Sequence, residues 1–282
     1  MNIDINLEDN SFKDDVVQKK NEFWKKFIIY VSIILFVIFL IIIYARYKAT
    51  TGIKVNEYKV TNSLITDNFH GTKVVHFSDI HYGNTVDLDY LKEIVNTINR
   101  LDADIVVFTG DLLDKQIDVD AKNNVITILS GIEAHIGKYA ISGESDYDDY
   151  LFNEIVTKSG FININDSYQY IYYKDDIPII ISNKDEVIDS NLFSIFLLHK
   201  PDNIDNLNNH FNLVLSGHSH NGQINIPFIK KMLLPNGAKK YFNGYYKVND
   251  ADLYVSNGIG TDDFKFRFLN KPSINLYRLT KY

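Results

Sequence analysis

Acidic and imidazole residues recur at the ends of apolar segments in this sequence. Residues 215–223 read Leu-Ser-Gly-His-Ser-His-Asn-Gly-Gln, which puts His218 and His220 one residue apart between Gly217 and Gly222. Two imidazoles at this spacing, on a loop that leaves a strand, can converge on a metal ion; they can equally be two exposed turn residues. Other segments end in the same kinds of group. Asp79-Ile80-His81 follows residues 73–78, Gly110-Asp111 follows 104–109, Gly143-Glu144-Ser145-Asp146 follows 138–142, and His199 follows 191–198. The chain has no cysteine, which excludes thiolate sites, cysteine nucleophiles and disulfides. Any metal must then be held by His, Asp, Glu or Asn, a donor set suited to Mn, Fe, Zn or Mg.

The elements that would position these groups follow from periodicity. Residues 73–78, 104–109 and 138–142 read as strands. The helical spacing of Leu88, Leu91, Ile94, Val95 and Ile98 predicts a helix over 88–100, with further helices over 119–132 and 149–158. Strand, polar loop and helix thus alternate, and in α/β folds the loops beyond the carboxyl ends of strands carry the ligand sites. After Gly160 the pattern becomes more strand-rich. A hairpin is expected over 168–173 and 177–182, a strand over 191–198, a short helix over 203–209, a strand over 211–216, and short strands near 253–256 and 273–280. Two β-rich halves packed face to face, with helices outside, are the expected architecture.

Length and charge bound the rest. The chain has 282 residues and a formal net charge of -7, with 19 Tyr and 18 Phe. The acidic balance argues against a nucleic-acid partner. Residues 27–45 are almost wholly apolar, Ser32 being the clearly polar exception, and as a helix they would be roughly 28 Å long, close to the hydrocarbon thickness of a bilayer. Trp24, Tyr44 and Tyr47 flank the run as interfacial anchors. The expected organisation is a polar tail without regular structure over 1–22, a single membrane-spanning anchor over 23–47, a linker with a first strand over 48–69, and a folded domain over 70–282. Lys13, Lys19, Lys20, Lys25 and Lys26 precede the anchor, and Arg46, Lys48, Lys54 and Lys59 follow it. This small excess of basic residues orients the domain to the extracytoplasmic side.

The ordered blocks Asp79-Ile80-His81, Gly110-Asp111, Gly143-Glu144-Ser145-Asp146, His199 and Gly217-His218-Ser219-His220 resemble the calcineurin-like metallophosphoesterase family. The fuller forms Gly110-Asp111-Leu112-Leu113-Asp114, Leu198-His199-Lys200-Pro201-Asp202 and Gly217-His218-Ser219-His220-Asn221-Gly222-Gln223 resemble its membrane-anchored bacterial branch, as does the segment from Tyr254 to Thr261. The resemblance covers roughly residues 73–279. It implies a four-layer α/β/β/α sandwich preceded by one transmembrane helix, and a site for two divalent metal ions. Asp79, His81 and His220 would hold one ion and Glu144, His199 and His218 the other, with Asp111 bridging. Asp111, His199 and His218 would also serve catalysis, and Asp114 would either orient a ligand or stabilise its loop. Two such ions clamp a phosphoryl group and acidify a bridging water, and the resulting hydroxide attacks phosphorus. The implied substrate is a phosphorylated compound, either a phosphoester or a pyrophosphate, and the anchor suggests a lipid-linked or envelope one.

One block departs from the family pattern, Gly-Asn-His-Asp/Glu. Glu144 stands where the family has a neutral amide, and Ser145 where it has a histidine that serves the leaving group. A ligated Glu144 would cancel the last net positive charge of a cluster built from two divalent ions, Asp79, Asp111 and hydroxide. A serine is too weak an acid to protonate a leaving group, a loss of about 10²–10⁴ in rate. Two expectations follow: hydrolysis restricted to substrates with good leaving groups, or a metal-containing binding or sensor domain with little turnover. His76 is a possible substitute donor, and His70, His135 and His210 read as surface residues.

Overall fold

A computed structural model describes residues 5–282 apart from 115, 187, 188 and 263, with side chains from residue 16 onward. The chain divides into two compact units, Met1–Ala45 and Arg46–Tyr282. The first is helix α1 (Ile5–Ile43). It overlaps a segment long and apolar enough to cross a membrane, Val16–Lys48, whose most apolar stretch is exposed. The helix continues back to Ile5, where the sequence predicted a tail without regular structure; residues 1–4 of that tail lie outside the described residues. The physical reason is propagation. Once the apolar stretch is helical, each added Lys, Glu or Asp gains a hydrogen bond without a new nucleation cost.

Among the described residues, the second unit is built on twelve strands in two six-stranded sheets. The elements in order are β1 (Lys54–Thr61), β2 (Lys73–Phe77), α2 (Leu88–Asn99), β3 (Ile105–Thr109), α3 (Val119–Ser130), β4 (Gly137–Ile141), α4 (Asp149–Lys158), β5 (Ile162–Asn163), β6 (Tyr168–Ile171), β7 (Ile179–Ser182), β8 (Ser194–Leu198), β9 (Leu213–Ser216), α5 (Ile229–Leu233), β10 (Gly244–Val248), β11 (Ala251–Val255) and β12 (Ser273–Thr280). The first sheet runs β1-β12-β2-β3-β4-β5 and the second β10-β11-β9-β8-β7-β6. The strands that carry the site are parallel within each sheet: β2, β3 and β4 in one, β8 and β9 in the other. Their carboxyl ends therefore open on the same edge.

Alternation along the strands sorts the core. Val75, Phe77, Val106 and Phe108 face α2, α3 and α4 and pack with Leu91, Ile94, Val125, Leu129, Phe152 and Ile155. Their neighbours Val74, Ile105 and Val107 face the second sheet and meet Ile181, Ile195, Leu197, Leu213, Leu215 and Tyr254. The central strands are buried on both faces, which explains their unbroken apolar runs. Asp87, Asp118 and Asp148 cap α2, α3 and α4 by accepting from the N–H of Tyr90, Ala121 and Leu151. The outer face of the second sheet carries a smaller cluster around Phe196, Phe211, Val214 and Leu253. A 3₁₀ turn (Pro201–Asn206) overlaps the stretch where a helix was expected over 203–209; Pro201 opens the turn. This side of the α/β sandwich is thus closed by turns and connections instead of long helices.

Candidate metal centre

The loops that leave β2, β3, β8 and β9 bring six of the seven sequence-predicted ligands into two groups. Asp79, His81 and His220 form one, and Asp111, His199 and His218 the other; within each, one donor atom per residue lies within 4.8 Å of the others. All six are at least nine-tenths buried. Asp111 sits between the groups. A single oxygen, Oδ2, is 3.1 Å from His199 Nε2 and 3.5 Å from His81 Nε2.

Holding so many polar groups together strains the backbone. Asp79, His81, Asp111, His218 and His220 all adopt left-handed φ, between 45° and 66°. Asp and His tolerate this region better than most residues, but each such residue still costs on the order of 1 kcal/mol. Two glycines make the close approach possible. A Cβ on Gly143 would run into the Asp111 carboxylate, and one on Gly217 would lie 2.8 Å from Asp79 Oδ2.

Three of the four imidazoles are fixed through one ring nitrogen, which leaves the other aimed inward. His199 donates from Nδ1 to the Thr109 carbonyl at 2.7 Å, and its buried Nε2 faces Asp111 Oδ2 at 3.1 Å. His218 donates from Nε2 to the Asn236 carbonyl at 2.7 Å. His81 Nδ1 lies 3.3 Å from Asp114 Oδ1. The fourth, His220, differs: its Nδ1 lies 3.3 Å from Nη2 of the fully buried Arg267, and its Nε2 is 3.1 Å from His81 Nε2. Imidazole nitrogens turned inward beside two buried carboxylates are the donors that cations of the Mn, Fe, Zn or Mg class take. The residues present fit a pair of such ions.

Electrostatics agree with this fit. Burial pushes the Asp79 carboxyl up, against the opposing pull of His199. Burial also acts against ionised Asp111, but His199 and His81 outweigh it and hold the carboxyl below its ordinary range. Asp111 in turn overcomes the burial of His199 and raises it to about 9. In His81, the Asp114 hydrogen bond and the Asp111 charge overcome burial and raise the imidazole. Burial lowers His218 and, more strongly, His220. Without cations, protons on His199 and His81 neutralise part of the carboxylate charge.

The loop after β4 differs most from expectation. Glu144 is half exposed; one of its oxygens is 3.5 Å from His218 Nδ1 and the other pairs with Lys200. It lies outside the two groups of six. Ser145 is turned onto the bridging carboxylate: its N–H and its hydroxyl both donate to Asp111 Oδ1, each at 2.8 Å. Asp146 fastens the β3 and β4 loops together. It accepts from the N–H of Asp111, Leu112, Leu113 and Gly143 at 2.9–3.2 Å, and burial raises its carboxyl to about 6 against those four bonds. The sequence reading assigned Asp146 no task, although its place at the end of the same block was a signal.

A cleft of about 400 Å³ opens over the two groups, lined by His81, Asp111, Glu144, Ser145, His218 and His220 and by Asp114, Tyr147 and Asp262. Asp262 was not foreseen; it joins His81 and Asp114 in a third, more open cluster. His76 stays out of the cleft. It is fully buried, 2.8 Å from Thr109 Oγ1, and burial lowers it to about 3, so it remains neutral and cannot act as the substitute proton donor. His70, His135 and His210 are exposed.

The profile of the calcineurin-like phosphoesterase family matches residues 72–222, more than half of the chain. Together with the relatives below, this shows that the protein belongs to that family and is a hydrolase acting on phosphoester bonds. It is 34% identical to the uncharacterized metallophosphoesterase YkuE of Bacillus subtilis, over 84% of this chain and 88% of that one. It is 25% identical to UDP-2,3-diacylglucosamine pyrophosphatase LpxG of Chlamydia trachomatis, over 74% of this chain and 84% of that one. A transmembrane protein with metallophosphoesterase domain from Danio rerio is 25% identical, over 82% of this chain and 58% of its own length.

Proposed function

We propose that this chain is a membrane-anchored phosphodiesterase or pyrophosphatase that cleaves bonds to leaving groups needing no proton, on a lipid-linked phosphate compound. The observation that carries the reading is the pair of buried three-residue groups around Asp111 Oδ2, each able to hold one divalent ion. Asp79, His81 and His220 would hold one ion, His199 and His218 the other, and Asp111 both, with Glu144 within reach of the second. Bound there, the ions would supply Lewis acidity toward phosphoryl oxygens and water. They are also needed for binding, because the cleft is lined by Asp111, Asp114, Glu144 and Asp262 and would otherwise repel an anion.

The protein's own residues set the rest. Ser145 and His199 fix the two oxygens of Asp111, and Asp146 fixes the loop on which Asp111 sits. Ser145, at the position where the family has its leaving-group histidine, directs its hydroxyl to Asp111 and so is not free to serve a leaving group. A pyrophosphate or aryl oxide leaves without a donated proton, and the relative named as a pyrophosphatase of a diacylated sugar nucleotide favours the former. The site's domain is assigned to residues 70–282, outside the cytoplasm. The test is hydrolysis by the full chain in detergent, with Mn²⁺ added. Turnover of a bis-aryl phosphate and of a pyrophosphate-linked lipid should far exceed that of a dialkyl phosphate and should vanish in Asp111→Asn. Metal binding without turnover of any of the three would favour the sensor reading instead.

A further inference from the structure

The segment that follows the two-histidine loop meets the site through the Asn236 carbonyl, and its composition is unusual for this chain. Residues 206–249 contain Lys230, Lys231, Lys239, Lys240 and Lys247 and no acidic residue, within a protein of net charge -7. Lys240 and Lys247 are paired with Asp205 and Asp252. Lys230 and Lys231 have no carboxylate partner among the described residues; Lys230 Nζ rests 4.7 Å over the Phe242 ring and 3.4 Å from Asn225 Oδ1.

Beside these two lysines stand apolar side chains that no described residue covers. Phe228 is 88% exposed and Met232 82% exposed, four residues apart on one turn of α5, with Ile229 and Leu233 also exposed. Leu269, 63% exposed, adjoins them, since Asn225 Nδ2 donates to the Leu269 carbonyl. Phe228 holds φ 69°, a strained position for a bulky side chain, and leads directly into the turn that presents Met232. The base of the segment is fixed. Leu234 is buried, and the Asn236 carbonyl accepts from His218. The result is a rigidly rooted tip, apolar at its end and basic along its flank, next to the candidate metal centre.

We infer that this tip, led by Phe228 and Met232 with Lys230 and Lys231, is an interfacial contact that inserts into an anionic lipid surface. Exposed aromatic and thioether side chains bounded by lysines match the boundary between acyl chains and anionic headgroups. An acidic chain would otherwise be repelled from such a surface, so its acid-free stretch is the part suited to approach it. The protein also carries a helix long and apolar enough to cross a membrane, so a lipid surface is the partner nearest to hand.

Trp24 is the only tryptophan, which permits a direct test. In a Trp24→Phe background, full chains carrying Phe228→Trp, Met232→Trp or, as control, Tyr170→Trp on β6 at the far edge of the second sheet are reconstituted into vesicles. The vesicles contain brominated phosphatidylcholine with or without phosphatidylglycerol. All three positions are exposed, so the substitutions should not disturb the core. The tryptophans at 228 and 232 should be quenched at least about twofold more than that at 170, and most strongly with the anionic lipid. Equal quenching at the three positions, or quenching indifferent to phosphatidylglycerol, overturns the inference. A blue shift without quenching, reporting a protein neighbour, overturns it equally. None of these outcomes depends on catalytic turnover.

Discussion

Ser145→Ala separates two tasks that residue 145 could perform. The substitution removes the hydroxyl donor to Asp111 Oδ1 and keeps the N–H donor to the same oxygen. A hydrogen bond to a charged group contributes about 1.5–3 kcal/mol. The remaining N–H, with His199 at 3.1 Å from Oδ2, limits how far the carboxylate can drift. At about 1.4 kcal/mol per factor of ten, the expected fall in kcat/KM is at most about 10–150-fold, and it is the same for every leaving group. Loss of a proton donor behaves differently: it spares aryl esters and costs alkyl esters about 10²–10⁴. The assay is kcat/KM for phosphodiesters of graded phenol acidity and one alkyl ester, for both proteins at saturating Mn²⁺. Two parallel lines are expected. A steeper dependence on the leaving group in Ser145→Ala would refute the assignment of Ser145 to positioning.

Asp146→Asn keeps one oxygen and so leaves two of the four N–H groups at that carboxylate unpaired in a buried place, a cost of about 2–6 kcal/mol. A clear drop in Tm of the metal-free protein is expected, and an unchanged Tm would contradict the fastening of the two loops. His199 gives a pH signature. Its folded value of about 9 lies above the ordinary 6.5, so its proton stabilises the metal-free fold fully below pH 6.5, and that contribution is lost as pH rises through 9. An entering cation must displace the same proton. Apparent metal affinity should therefore climb between about pH 6.5 and 9, with net proton release in calorimetric titrations run in buffers of different ionisation heat. Binding with no release would rule out His199 as a ligand.

The parts of the site that are local in sequence were legible there. Gly217-His218-Ser219-His220 and Asp79-Ile80-His81 announce themselves because each sets two metal-ligating side chains on one short loop. His199 is a lone histidine after an apolar run, and only the order of the blocks around it gave it meaning. The tasks of Asp146 and Arg267 were not legible, since what they do depends on backbone groups brought from other loops by the fold. Ser145 shows a further limit. The sequence states that a histidine is missing, but only the packed loop reveals that the hydroxyl has another use. For the fold, burial of both faces made β2, β3, β8 and β9 easy to read. The helical segment before the membrane-length run was harder, because its polar residues carry no periodic signal of their own.

The pairing of β1 with β12 has a consequence for assembly. Lys54–Thr61 lies parallel to Ser273–Thr280 at the border of the first sheet, and contacts such as Asn56 Nδ2 to Asn275 Oδ1 join residues 219 positions apart. The strand nearest the apolar helix therefore cannot dock until the far strand has been synthesised, and closing so long a loop is slow. Until then the nascent domain keeps an open sheet edge. Once closed, any pull transmitted along the chain from the N-terminal side reaches the β1 hydrogen bonds along the strand direction, so the ladder shares the load in shear instead of opening one rung at a time.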